Sequence, residues 1–308
     1  MSADVETMFP VREIPWHGLG TVVEDAPSSE DALKLAGLDW EVVQSSIYTS
    51  RGILNGYKAN IRAIDGKVLG VVTDKYKIIQ NKEAFAFTDE LLGRGVKYET
   101  AGALQGGKKV WILARLPEEY IVAEEKICTY LVFSNTHDGS GSVKVAITPV
   151  RVVCNNTLNL ALNTARRSFS MIHKGDFVNK VQEARDTLAL TNQYMTELGR
   201  EFEKMKNNRI TEAQVDEYIE QLLPMETEAS PIKISNIIKL RDSLRSRYYD
   251  APDLIGTGNN QYRFINAVSD FATHSQPLRK TANYQENIFL KTIEGNPIID
   301  RAYQLMAA

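Results

Sequence analysis

His137 and Asp138 stand side by side in residues 134–140 (SNTHDGS), and Cys154 follows in 148–158 (TPVRVVCNNTL), with Arg151 just before it. An imidazole beside a carboxylate can move protons, and a thiol within reach of an imidazole can act as a nucleophile. Neither reading is complete in the sequence. One His and one Asp are too few for a metal site, and the glycines beside them explain Asp138 as a turn former. A buried cysteine most often behaves as a small apolar residue. Arg151 can bind a phosphate or pair with an internal carboxylate, and both readings stay open. The patterns GxGxxG, HExxH, CxxC and GxSxG are absent. The chain therefore reads as a protein without turnover chemistry, with His137, Asp138 and Cys154 as its catalytic candidates, and no cofactor or metal is expected.

A second set of residues suits a polyanion. Gly106-Gly107-Lys108-Lys109 lacks the spacing of a phosphate loop and lies between two apparent strands, so it reads as a hairpin tip carrying two lysines. Lys144 and Arg151 lie near a second hairpin. Arg166, Arg167, His173 and Lys174 surround Phe169 and Met171, and Arg241, Arg245 and Arg247 precede Tyr248 and Tyr249. Cations beside aromatic rings suit single-stranded nucleic acid, whose bases stack and whose phosphates pair. The plainer reading of each run is a solvated helix face with a few core aromatics. Lys108, Lys109, Lys144, Arg151, Arg166, Arg167 and Lys174 are the residues expected to line a nucleic-acid groove.

These residues need a frame, and the sequence patterns suggest an α+β one. The chain has 308 residues, 43% of them hydrophobic, enough for a real core. Its net charge of −3 gives no global basic signal, although a local basic groove can sit on an acidic chain. Two cysteines make no disulfide framework, which fits a reducing, cytoplasmic setting. No signal-peptide pattern and no long apolar run occur, so no membrane partner is expected.

Residues 1–27 read as an irregular arm with Phe9, Ile14 and Trp16 as apolar anchors. Residues 28–170 read as an antiparallel sheet of hairpins with short helices. Ser28 and Asp31 cap a first helix, and Asn81 caps a second. Asp65-Gly66, Gly106-Gly107 and Asp138-Gly139-Ser140-Gly141 mark hairpin turns. Val143, Val145 and Ile147 alternate with polar or small residues, and Pro149 should end that strand or mark an edge. A helix is expected over 152–165. Residues 171–308 read as mostly helical, with a capping box at Thr211–Gln214 and apolar positions at Val215, Tyr218, Ile219 and Leu222.

The stretches 16–20 (WHGLG), 134–140 (SNTHDGS), 148–158 (TPVRVVCNNTL) and 266–274 (NAVSDFATH) resemble the phage/plasmid-like protein family, a domain of unknown function. That resemblance covers nearly the whole chain and implies a protein of a mobile element, without implying a reaction. An antiparallel hairpin sheet crossed by a helix also resembles single-strand annealing recombinases in architecture. That likeness implies an oligomer that binds single-stranded DNA in a basic groove and lets complementary strands pair. Two other classes remain. One is an enzyme on nucleic acid or nucleotide using His137, Asp138, Arg151 and Cys154. The other is a self-assembling or host-interaction protein.

Overall fold

The computed structural model describes residues 5–10, 28–92, 97–122, 124–151, 156–157, 168–173, 186, 190–275, 291 and 295–307. Two compact units share the chain, and they are interleaved along it. The first comprises 1–118, 129–147 and 167–191, and the second 119–128, 148–166 and 192–308. An arm, a sheet domain and a helical region in succession are what local patterns suggest. Three of the breaks between the units, at 118/119, 128/129 and 147/148, fall inside strands, where no linker composition marks them.

The first unit holds a three-stranded antiparallel sheet, β2 (Val42–Thr49), β3 (Gly52–Arg62) and β4 (Val68–Thr73), in that order. The Asp65-Gly66 turn joins the last two, with Asp65 accepting from the Lys67 N–H at 3.1 Å. Much of a seven-stranded sheet also belongs here. Its order is β1 (Val5–Pro10), β5 (Lys97–Leu104), β6 (Lys109–Val122), β7 (Glu125–Thr136), β8 (Val143–Arg151) and β10 (Ser168–Met171), with the short β9 (Asn156–Thr157) also on β8. The pairs β1–β5, β5–β6, β8–β10 and β8–β9 run antiparallel.

Along β6 and β7 alternate side chains take opposite faces, as the pleat dictates. Val110, Ile112, Ala114, Leu131 and Phe133 join a core with helices α1 (Ser29–Leu35) and α2 (Asn81–Leu92). Trp111, Leu113 and Val132, one residue out of step, are buried as well. Ser28 caps α1 by accepting from the Asp31 N–H, and Gly37 follows its end in the left-handed region at φ +60°.

The second unit has its own core. Helix α3 (Thr191–Asn207) contributes Tyr194, Leu198 and Phe202, and α4 (Glu212–Leu222) contributes Val215 and Ile219. The capping box at Thr211 and Gln214 is formed as expected. Helix α5 (Pro231–Asp250) starts on the Ser230 cap, with Pro231 in its first turn. Helix α6 (Gln261–His274) starts on Asn260, and α7 (Pro297–Ala307) completes the described part. Arg263 of α6 is buried because it finishes α5. Its Nε donates to the Tyr248 carbonyl at 2.7 Å and its Nη2 to the Tyr249 carbonyl at 3.0 Å. Those carbonyls have no partner further along their own helix, so a cation suits them.

Four local expectations change. Residues 5–10 of the arm form an edge strand on β5. Pro149 neither ends β8 nor lies on an edge: the strand continues to Arg151, where Val150 faces Thr157 and Arg151 faces Asn156. Asn156–Thr157 is thus a strand where a helix was expected, because it pairs with the end of β8. Asn81 opens α2 without capping it. The cap position is Gln80, whose carbonyl accepts from the Ala84 N–H and whose own N–H donates to Glu83.

Candidate functional site

The side chain that Asn81 withholds from its helix end is put to use elsewhere. Its Nδ2 donates to the Leu38 carbonyl at 2.9 Å, and its Oδ1 lies 3.0 Å from His137 Nε2. His137 is fully buried. Its backbone N–H donates to the Lys108 carbonyl at 2.7 Å, and its carbonyl accepts from Asn60 Nδ2 at 2.7 Å. Trp40 meets the imidazole edge-on, with ring centroids 5.5 Å apart, and the Arg62 guanidinium lies over that indole at 5.5 Å. Two residues before His137, Asn135 donates to the Ile79 carbonyl at 3.0 Å.

The segment between β4 and α2 therefore follows the end of β7 step by step. Tyr76 continues the contact: its hydroxyl donates to the Thr136 carbonyl, and its ring stacks on His173 with centroids 4.4 Å apart. His173 in turn holds Lys77 twice. Its carbonyl accepts from the Lys77 N–H at 2.9 Å, and its Nδ1 lies 3.1 Å from the Lys77 carbonyl.

Burial decides the chemistry of this junction. It disfavours the charged imidazolium, and His173 nearby adds to the effect, so the pKa of His137 falls to about 3. His173 is lowered by the same cause. Both rings are neutral near pH 7. With Nε2 donating to Asn81, Nδ1 of His137 is left as an acceptor, and among the described residues it meets no donor. A fully buried, neutral imidazole cannot exchange protons with a substrate in water. Asp138 is turned to local work: its Oδ1 accepts from the Ser140 N–H at 2.9 Å, an Asx-turn. Its backbone supports strand β4, where a Cβ on Gly70 would come within 2.5 Å of the Asp138 Cα. Cys154 lies outside the described residues.

The residues that build this junction fall largely within one family pattern. The model for a domain of unknown function, DUF932, matches residues 68–292. The chain belongs to the DUF932 family. No curated protein and no solved structure matches it.

In this DUF932 protein the expected cations have different fates. Lys108 and Lys109 lie in and after the β5–β6 turn, where Gln105, Gly106 and Gly107 all take positive φ. A Cβ on Gly106 would collide with the ammonium of Lys67, and one on Gly107 would press on Arg62 and Trp40. The turn therefore brings the ammonium of Lys67, about forty residues away in sequence, to Gly106, two residues before Lys108. Arg62 at the same end is engaged by Asp65, whose carboxyl it holds down to about 2. Lys144 lies on β8 opposite Ser170, half-buried. Arg151 pairs in the β8–β9 ladder through its backbone. Arg166, Arg167 and Lys174 lie outside the described residues.

The helical cations are matched by carboxylates. Arg241 pairs with Glu220 at 3.1 Å, Arg245 with Asp216 at 2.7 Å and Arg247 with Asp270 at 2.9 Å. Tyr248 beside them is buried. Among the described residues no three His, Cys, Asp or Glu side chains gather as metal ligands, and no helix is long and apolar enough to cross a membrane.

Sequence reasoning missed Trp40, Asn60, Arg62 and Lys67. Asn60 and Arg62 carried no signal for burial, since they alternate with the apolar Tyr57, Ala59 and Ile61, the set a strand ordinarily buries. Nothing local marked Lys67, because its neighbour Gly106 is about forty residues away in sequence.

Proposed function

We propose that this chain is a single-strand-binding and strand-annealing protein of a mobile element, working as an oligomer without turnover chemistry. The observation that supports this reading is the meeting of two turns, in which the Lys67 ammonium reaches Gly106 just before Lys108 and Lys109 in the chain. Lysines on adjoining turns suit a phosphate backbone, whose neutralisation releases counterions and needs no base-specific contact. The burial and neutrality of His137 weigh against the enzymatic alternative built on it. The annealing role needs only that strands be held by their backbones while bases pair. The mobile-element setting and the DNA partner rest on the family resemblance and on architecture.

The test is binding of a fluorescein-labelled oligothymidine by anisotropy at low and high salt, together with pairing of two complementary labelled strands. Wild-type protein should bind in a salt-sensitive way and speed pairing, and EDTA should change neither. Replacing Lys67, Lys108 and Lys109 by Ala should weaken binding and flatten the salt slope by roughly 0.7 for each phosphate that is no longer neutralised. Absence of binding at low salt overturns the reading.

A further inference from the structure

The sheet β2–β4 has one face turned to the His137 junction and one turned away. Asn60, Arg62 and Gly70 define the inner face by their contacts with His137, Trp40 and Asp138. The register then fixes the outer one. Val43 faces Ile61, Ile61 faces Val68, Ala59 faces Val71 and Tyr57 faces Thr73. Directly opposed residues project from the same side of a sheet. Val43 is 45% exposed, Tyr57 48%, and Val68 and Val71 55% each. With Ser45, which faces Ala59, these positions carry no charged side chain. The hairpin end adds Tyr48 and Ile53, opposite one another and both exposed.

Three features select the occupant. A face without a cation offers nothing to a polyanion, so nucleic acid is a poor match for it. At roughly 60–100 Å² for each half-exposed large apolar side chain, Val43, Tyr57, Val68, Val71, Tyr48 and Ile53 together offer on the order of 400–600 Å². That is about half to three-quarters of the ~800 Å² per partner of a standard interface, the rest falling to the polar rim. Growth by edge pairing is hindered at β2, because the Gln80 amide takes both the N–H (2.9 Å) and the carbonyl (2.8 Å) of Val42. A surface that is apolar, uncharged and blocked at this edge pairs by its face. The same face on another copy has the matching chemistry at the same concentration, and a two-fold contact closes on itself.

We propose that the outer face of β2–β4 is the interface of a face-to-face homodimer of this chain. The two sheets stack ~10 Å apart, with strands within about 30° of one another. The interface stands whether or not the protein anneals DNA.

Sedimentation velocity on the full chain at micromolar concentration tests it. Wild-type protein should run at twice the chain mass or an even multiple of it, and Val71→Asp should halve that mass with an unchanged far-UV circular dichroism spectrum. Ile238→Asp, an exposed apolar position on α5, should leave the mass unchanged. A monomeric wild type overturns the proposal, as does a Val71→Asp variant that keeps the wild-type mass. So does a variant that loses oligothymidine binding at unchanged mass, which would make the face a nucleic-acid platform. A wild type that dimerises through Val71 yet never binds oligothymidine sinks the annealing role alone.

Discussion

The two faces of β2–β4 reverse the usual pattern. The inner face is built around Asn60, Arg62 and Gly70 and is sealed, while the outer face carries Val43, Tyr57, Val68 and Val71 and is open. Alternation shows that a strand has two faces but not which of them the chain covers. Polar groups can be the buried set when each finds a partner, and here Asn60 and Arg62 do. Apolar groups can be the open set when another surface is to be met. Substitutions on the inner face should therefore cost folding stability, and those on the outer face should alter association instead.

The strongest break of this contrast is Gly70→Val. The Cβ alone would stand 2.5 Å from the Asp138 Cα and 2.7 Å from its carbonyl oxygen, both backbone atoms that cannot swing away. Strand β4 and the 138–141 turn would have to separate. The expected loss is about 3 kcal/mol or more, read as a fall in the urea midpoint. A loss under about 1 kcal/mol would mean that β4 does not rest on the turn.

Asn60→Ala comes next. It removes the donor from the buried His137 carbonyl without adding bulk. An unpaired buried carbonyl costs about 1–3 kcal/mol, to be read from chemical unfolding at neutral pH.

The pH dependence follows from His137 itself. Its folded pKa lies near 3, below the ordinary value of 6.5, so the unfolded chain takes up a proton that the folded one refuses. Stability is full above pH 6.5 and declines as pH falls toward 3. From about pH 7.5 to about pH 5 this one group should remove about 2 kcal/mol, and His173, lowered in the same direction, adds to the loss. Urea midpoints across that range should show the slope, and His137→Gln should flatten it by about one proton. A slope unchanged in that variant would place the acid sensitivity elsewhere.

What was legible in the sequence was local. The Asp65-Gly66 hairpin, the Ser28 cap and the Thr211–Gln214 box are each set by a few adjacent residues, and each formed. The α+β class followed from the change of period along the chain. What was illegible was distant. Asn81 reads as a helix cap from its neighbours, but its partners are Leu38 and His137, one before it and one after it by dozens of residues. Pro149 reads as a strand end, yet β8 continues because its neighbours in the ladder supply the register. Arg241 and Arg245 read as a basic stripe, and only the packing of α4 against α5 shows Glu220 and Asp216 opposite them. Such cation runs look alike in sequence whether carboxylates or phosphates answer them.

The finest test compares neighbours on one strand. Val42 is buried at 2% exposure and faces Arg62, while Val43 is 45% exposed and faces Ile61. Changing either to Thr keeps a β-branched side chain and its preference for strands. Val42→Thr places a hydroxyl where there was a methyl group in the core, with an expected cost of about 1–3 kcal/mol. Val43→Thr should stay within about 0.5 kcal/mol in dilute protein, where association does not contribute. Any cost it shows should grow with protein concentration, because stability gained by binding a second copy follows mass action. A Val43→Thr cost as large as that of Val42→Thr at low concentration would mean that both faces are covered within one chain, and the outer face would no longer be available to a partner.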